Sequence, residues 1–410
     1  MSAIFCGIDV SADSCVVLCV DQSGQPLGQS RTFSNDLAGA EELTAFLLEL
    51  AQKQRATRLE VGLEATSVYG VHLRNFLVAA PSLAALETKV YEINPALVAG
   101  FKKSFPKRPK TDSLDAFAIA ERVRFGHLTP FSRERLVTEP LLQLTRLRLH
   151  LVQTLAVEQN RAYNYIYLKF SNYRREKPFS SVFGRSSLAV LNDYTPEELL
   201  NLELEDLAAF ILKNGNNRLG DPEEYARSLK ATARRAYRLH PQMGSAVETA
   251  LAMTISNIDF LKGQVRKLDR LIARELDAIP QTLTTVPGIG PVLASGIVAE
   301  IGDIRRFAGQ AALAQYAGLT WSRYQSGNFD AEDKSLTKTG NRYLRYYLVE
   351  AANSLRVHNE EYRAYYQAKY AEVTKHQHKR ALVLTARKFV RLVYALLSKG
   401  QIYAPGQVNI

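Results

Sequence analysis

Four carboxylates in the first third of the chain have the types and spacing for phosphoryl-transfer chemistry. Asp9 stands in the otherwise apolar run Ile4-Phe-Cys-Gly-Ile-Asp-Val10, Glu64 ends Leu59-Glu-Val-Gly-Leu-Glu64, and Asp112 and Asp115 follow Thr111 at a spacing of three. A carboxylate in an apolar strand must be hydrogen-bonded, ion-paired or metal-bound, because burying it alone is prohibitively costly. The i, i+3 spacing sets both later aspartates on one helical face. Four such groups brought together repel one another unless cations neutralise them. Oxygen-only ligands with open positions suit Mg²⁺, and two ions about 4 Å apart stabilise both the attacking and the leaving oxygen of a phosphoryl transfer. Each acid also has a plainer role: Asp13 could be the salient charge of its strand, Glu64 could cap the next helix, and Asp112 and Asp115 could simply favour a helix N-terminus.

Whether the four meet depends on the elements that carry them. Alternation and turn residues predict strands over Ile4–Ser11, Ser14–Val20 and, after Asp21-Gln-Ser-Gly24, Pro26–Phe33. A helix follows over Leu37–Gln54, then strand Leu59–Glu64, helix Tyr69–Ala79, strand Thr88–Ile93, and a helix capped by Thr111 that reaches about Arg124. This is the order of the ribonuclease H fold, a mixed sheet with helices on its faces. In that topology the middle of the first strand, the end of the fourth and one face of the last helix meet, which are the positions of Asp9, Glu64, Asp112 and Asp115. The expected fold class is therefore α/β followed by α, with a ribonuclease H-like (RuvC-like) domain over 1–130.

Residues 131–280 read as a helical, coiled-coil region for dimerisation and nucleic-acid contact. Helical spacing runs from Thr138 to Asn172, and Tyr163 to Lys177 mixes five aromatic rings with Lys169, Arg174, Arg175 and Lys177. That mixture fits either an RNA contact surface or the core face of an amphipathic helix. No chemistry is evident over 178–242, where Thr195-Pro-Glu-Glu198 marks a helix start. From Met243 to Ile279 an apolar series including Val247, Leu251, Ile255, Ile258 and Leu261 predicts a long helix of coiled-coil character, read as a pairing arm. In 281–410 the turn Val286-Pro-Gly-Ile-Gly290 opening a helix suggests a helix-hairpin-helix, with Gly288 and Gly290 admitting a phosphate to the backbone. A loop over Trp321–Thr339 and two basic helical stretches, Asn341–Val357 and Tyr370–Leu397, complete the chain.

A net charge of +11 and a pI near 9.4 point to a polyanionic partner, nucleic acid first. The Pro-broken segment around Lys102, Lys103, Lys107, Arg108 and Lys110 is a candidate contact. No run of membrane-spanning length and no N-terminal signal is evident, so a cytoplasmic, nucleoid-associated protein is expected. The three cysteines, Cys6, Cys15 and Cys19, read as small core residues. No His-x-x-Arg occurs, which disfavours a tyrosine recombinase, and the second phosphate turn and adenosine motif of an actin-like ATPase or sugar kinase are missing.

Gly7-Ile-Asp-Val10, Leu63-Glu-Ala-Thr66, Ile93-Asn-Pro95 and Lys110-Thr-Asp-Ser-Leu-Asp-Ala116 resemble, in this order, the DEDD transposases of bacterial insertion sequences. So do Val286-Pro-Gly-Ile-Gly290, Glu300-Ile-Gly-Asp303, Tyr316-Ala-Gly-Leu319, Gln325-Ser-Gly327 and Lys338-Thr-Gly-Asn-Arg-Tyr-Leu-Arg345. That family includes Piv-type invertases and bridge-RNA-guided recombinases. The resemblance implies Mg²⁺ held by Asp9, Glu64, Asp112 and Asp115, and a C-terminal transposase domain whose nucleophile is Ser326. A serine hydroxyl is a weak nucleophile and needs a base or a metal to activate it. The resemblance further implies donor and target DNA as substrates, a structured non-coding bridge RNA as guide, and a homodimer that assembles to a homotetramer with composite sites. Lys338, Arg342 and Arg345 are the expected phosphate contacts. The region from about Tyr173 to Gln242 is longer than the family's usual outline. A Holliday-junction resolvase-like nuclease that cuts with activated water is the alternative, and an RNA-binding scaffold with vestigial acids is a third reading.

Overall fold

In a computed structural model of the chain, β1 (Ser2–Val10) lies at the centre of a five-stranded sheet with β2 (Ser14–Val20), β3 (Arg31–Ser34), β4 (Ala56–Glu64) and β5 (Glu87–Ile93), in the order β3-β2-β1-β4-β5. The structure describes residues 2–65, 68–103, 111–216, 220–321, 336–337 and 339–405, and the backbone of 325–326 and 329–330. β1 pairs antiparallel with β2 and parallel with β4, and β4 pairs parallel with β5. A hairpin can join antiparallel neighbours, whereas parallel ones need a crossover. Helices α1 (Leu37–Lys53) and α2 (Gly70–Ala79) make those crossovers.

β1 is buried on both faces, which is why it reads as a continuous apolar run. Ile4, Cys6 and Ile8 face a core built with Leu43, Leu47, Leu73 and Leu77 of α1 and α2. Ala3 and Phe5 face the other core, closed by Val98 of α3 (Pro95–Lys102) and by Ala116, Ile119, Ala120 and Val123 of α4 (Asp112–Phe125). The cysteines are buried as expected, and burial together with the charge of Asp9 pushes the Cys15 thiol up to about 11.

Gly7 lets α4 lie directly on β1. A Cβ there would stand 2.0 Å from the Ala116 carbonyl oxygen and 2.4 Å from the Ala120 nitrogen. These are backbone atoms that cannot rotate away, so Gly7→Val is expected to cost about 3 kcal/mol, the upper end for overpacking. Gly100, on α3 with nothing within 4 Å, is the control. Gly100→Ala is expected to raise stability by about 0.5–1 kcal/mol by favouring the helix, and denaturant unfolding of both variants checks the contrast.

The remainder of the described chain is mostly helical. Two 37-residue helices, α5 (Arg133–Lys169) and α11 (Pro241–Asp277), each about 55 Å long, pack along each other. Between them in sequence come α6 (Tyr173–Glu176), α7 (Arg185–Asp193), α8 (Pro196–Asn201), α9 (Leu204–Asn214) and α10 (Pro222–Arg235). These close a central core over the C-terminal half of α5 and the N-terminal half of α11. The opposite halves join α12 (Pro291–Ile301), α13 (Gln310–Tyr316), α14 (Arg342–His358), α15 (Glu360–Ala371) and α16 (Gln377–Lys399) in a second core. Two short strands, β6 (Gln325–Ser326) and β7 (Phe329–Asp330), pair between α13 and α14. Buried Arg74 ties the sheet to α5: it is paired with Glu92 of β5 and Glu139 of α5 and sits 4.1 Å over the Phe131 ring.

Three expectations differ from what is observed, and one left open is decided. β3 is shorter than Pro26–Phe33, because Pro26 lacks a donor and makes only an isolated bridge to Val20. The stretch expected as one helix over Tyr370–Leu397 is broken before α16, where His376 takes a left-handed φ of 53°. The apolar series of α11, read as a pairing arm, finds its cover within the chain: Leu251, Ile255 and Ile258 in the central core, Leu268, Ile272 and Leu276 in the C-terminal one. In the Tyr163–Lys177 stretch Phe170 and Tyr173 are fully buried and Lys169 donates to the Leu191 carbonyl, so that segment is chiefly a core face.

Candidate active site

Asp9 follows Ile8, which pairs with Leu63, and Glu64 follows Leu63, so the two carboxylates stand at the same end of adjacent parallel strands. Strand alternation puts Asp9 on the face of Gly7, and Glu64 on the face of Gly62. α4 covers both glycines: Gly7 meets Ala116 and Ala120, and a Cβ on Gly62 would meet Val123 and Ile119. The helix runs antiparallel to β1. At its C-terminal end Arg124 donates to the Gln22 carbonyl at 3.3 Å, just past Val20, the partner of Phe5 near the start of β1. Its first turn, with Asp112 and Asp115, therefore lies at the end of the sheet that carries Asp9 and Glu64. Thr111 caps that turn, its hydroxyl accepting from the Leu114 N–H at 3.3 Å.

The four predicted acids are thus brought to one edge and one face. They are not drawn into a closed cage, since among the described residues no three His, Cys, Asp or Glu side chains stand close enough to hold a metal ion. Lys102 of α3 supplies a local countercharge instead, with its ammonium 2.8 Å from Asp115 Oδ1. Carboxylate oxygens are the hard donors a divalent cation prefers, so these residues fit such an ion by donor type.

The second half of the candidate site rests on a polar network that sequence reasoning missed. Glu300 on α12 is buried and accepts two bonds from Arg146 of α5, at 2.8 and 2.9 Å. It also accepts from the Asn341 amide at 2.7 Å, and that amide reaches the Tyr316 hydroxyl at 3.1 Å. Asn341 Oδ1 in turn caps α14 by accepting from the N–H groups of Tyr343 and Leu344. Immediately before it, Gly340 at φ 125° passes so close to Tyr316 that a Cβ would stand 2.4 Å from the Tyr316 carbonyl oxygen. The segment bearing Ser326 leaves and returns here, closed at its base by a Trp321–Leu336 bridge and by the Thr337 N–H on the Thr320 carbonyl at 2.9 Å. Within it the backbone of Ser326 pairs with Phe329; its side chain lies outside the described residues. The signal available in sequence was the pair of motifs around Glu300 and Asn341, which do not name Arg146 as partner.

Arg146→Met is expected to cost about 3 kcal/mol or more, because it strands a carboxylate only 1% exposed. Glu300→Gln is expected to cost less, about 1–2 kcal/mol, because Arg146 is 39% exposed and can turn to water. Denaturant unfolding of the two variants checks that order.

The predicted nucleic-acid contacts divide. Lys103 is exposed, Lys102 is engaged with Asp115, and Lys107, Arg108, Lys110 and Lys338 lie outside the described residues. Arg342 is exposed and stacks 4.7 Å from the Tyr343 ring centroid, while Arg345 donates to the Ala317 carbonyl at 3.1 Å. Gly290 begins α12 with open space around it. Gly288, at φ 93°, is packed on α14 instead, where Ser354 Oγ donates to its carbonyl at 2.6 Å. On the last helices Arg380 is paired with Glu372 and Lys388 with Glu361, so both cations are used within the chain.

Two family models match the chain, one for DEDD transposases of IS110 type over residues 6–169 and one described as the transposase IS116/IS110/IS902 family over residues 280–367. The chain belongs to the DEDD transposases of insertion sequences. The first match spans the sheet, α4 and α5; the second spans α12, α13 and α14, the elements around Glu300 and Asn341. Residues 170–279 fall under neither. This transposase is 24% identical to the insertion element IS116 uncharacterized 44.8 kDa protein of Streptomyces clavuligerus, over 98% of this chain and 96% of the relative. It is 27% identical to the mini-circle putative transposase for IS117 of Streptomyces coelicolor, over 77% of this chain and 75% of the relative. Over 45% of its length it is 26% identical to the transposase for insertion sequence element IS1111A of Coxiella burnetii, covering 53% of that protein. As a DNA transposase it is an enzyme that acts on DNA, and it belongs to a family whose type points to divalent metal dependence in general. Among the described residues no helix is long and apolar enough to cross a membrane.

Proposed function

We propose that this transposase is an RNA-guided, site-specific recombinase that excises and inserts its element through a covalent serine–DNA intermediate. The observation that supports this reading most is the meeting of Asp9, Glu64 and the first turn of α4 at one sheet edge, in a chain whose other family match surrounds the Ser326 segment. Asp9, Glu64, Asp112 and Asp115 would hold Mg²⁺. That ion supplies Lewis-acid polarisation of a phosphoryl oxygen and eases the charge that develops there.

In the first step Ser326 Oγ bonds to phosphorus as its proton leaves to a base, and the P–O bond to the departing strand breaks as that oxygen gains a proton. The serine phosphodiester retains the energy of the broken link. A hydroxyl of the partner strand then attacks it, re-forming a DNA phosphodiester and returning the serine hydroxyl, so no high-energy cofactor is consumed. Two such exchanges pass through a Holliday-junction-like intermediate.

In this reading the chain divides into a RuvC-like catalytic domain (1–130), a helical coiled-coil region (131–280) and a C-terminal transposase domain with a helix-hairpin-helix (281–410). Lys103, Arg342 and Gly290 have the exposure to meet DNA phosphates. A bridge RNA would choose donor and target by base pairing, and homodimers would join as a homotetramer whose sites combine residues of two subunits. The deciding experiment denatures the wild-type protein after incubation with DNA and Mg²⁺. A protein–DNA species that survives, with phosphoserine at 326 after digestion, is expected. Cut DNA with free ends and no such species would make the protein a resolvase-like nuclease instead.

A further inference from the structure

The central unit, residues 170–279, lies outside both family matches, yet it carries a cavity of about 740 Å³ between α7, the C-terminal end of α9 and the middle of α11. The charged lining is Arg185, Lys213, Lys262 and Arg266 against Asp193 and Asp259. Asp193 already accepts from the Asn192 amide, and Lys262 donates to the Phe183 carbonyl at 2.8 Å. The other three cations are exposed and make no ion pair among the described residues.

Several other cations of the same unit are ion-paired, Arg227 with Glu223, Arg235 with Glu176 and Arg238 with Glu197. Three cations without an ion pair among the described residues therefore line this one groove. Arg185, Lys213 and Arg266 stand on three helices locked by one core, through Leu188, Ile211 and Ile255, so their separation is set by the fold. The groove thus receives charge from three separate helices, α7, α9 and α11. Aromatic rings continue the surface: Phe183 in the lining meets Tyr163 at 4.9 Å, exposed Arg174 lies 4.6 Å from the Tyr163 ring centroid, and Phe260 on α11 is 65% exposed. Cations from several helices beside aromatic faces suit a chain of phosphates with unpaired bases.

We propose that this groove grips the phosphate backbone of a single nucleic-acid strand. The inference goes beyond the serine-based reading, which assigns nothing to the groove, and a binding measurement tests it whether or not a covalent intermediate forms. The full-length protein and an Arg185→Ala/Lys213→Ala/Arg266→Ala variant are titrated with labelled oligo-uridylate RNA, oligo-thymidylate DNA and duplex DNA over a range of salt. Lys262 is left in place because it holds the backbone. Loss of about tenfold or more in affinity for a single strand is expected, with a salt dependence shallower by about 2 in the log–log slope for three lost phosphate contacts. Loss confined to the RNA would identify the strand as RNA, and loss confined to the oligo-thymidylate as DNA. Unchanged single-strand affinity and slope, or a loss seen only with duplex, would overturn the proposal. Arg227→Ala/Arg235→Ala, which removes cations away from the groove, is expected to leave single-strand affinity within about twofold. An equal loss in that variant would show a diffuse charge effect and sink the groove as a site.

Discussion

Ser326→Ala is expected to abolish the covalent protein–DNA species and, with it, recombination, while DNA affinity stays within a few-fold of wild type. The hydroxyl oxygen is the atom that bonds to phosphorus in the proposed reaction, and alanine offers no replacement, so the expected loss exceeds about 10⁴-fold in strand exchange, as for other nucleophile deletions. The segment that bears Ser326 is anchored by groups outside it: the Trp321–Leu336 bridge, the Thr320–Thr337 pairing and the Glu300–Arg146–Asn341 network. Removal of one oxygen atom from the serine leaves all of these in place, so thermal unfolding is expected to be unchanged. A resolvase-like enzyme would behave differently, because water would still cut in the variant. Wild-type rates of strand exchange by Ser326→Ala would falsify the serine mechanism.

Asp9→Asn is expected to lower strand cleavage by about 10³-fold or more, while binding to DNA is retained or tightened. Asparagine keeps the shape of the side chain and removes its charge. An ion that supplies several kcal/mol of charge stabilisation is worth roughly tenfold per 1.4 kcal/mol, which sets the scale of the loss. A second readout needs no DNA. Adding Mg²⁺ to the wild-type protein is expected to raise its unfolding temperature, because a ligand that binds only the folded state stabilises it by mass action. In Asp9→Asn that rise should shrink or vanish. The two readouts separate a ligand from a structural aspartate, since a structural role would lower stability with and without Mg²⁺ alike. Full cleavage by the variant, or an undiminished Mg²⁺ shift, would show that Asp9 is not part of the metal site.

Much of the N-terminal unit was legible because its signals are local. The apolar run of β1, the turn after β2 and the Thr111 cap each state an element boundary within a few residues, and β1, β2 and α4 keep to them. Gly7 and Gly62 were visible as letters but not as the reason α4 can lie on the sheet, because their neighbours on α4 are more than 50 residues away in sequence. The helical half was harder. An apolar series predicts a buried helix face but does not say what covers it, and α11 turned out to be covered by α5 and the short helices of its own chain. The aromatic and basic stretch after Tyr163 had the composition of a nucleic-acid surface, and packing resolved it: Phe170 and Tyr173 went inward, while Tyr163 with Arg174 stayed at the rim of the groove.

By itself, the sequence determined which acids could act together, that the chain is basic, the order of its strands and helices, and the family to which its two ends belong. Residue type, periodicity and capping are properties of neighbours along the chain, and they survive being read one stretch at a time. Only the tertiary structure decided that Arg146 answers Glu300 across 154 positions, that Gly288 is packed on α14, and that three unpaired cations from three helices of the central unit share one groove. Those facts depend on which side chains are left without a partner once every element is packed, and no single stretch carries that information.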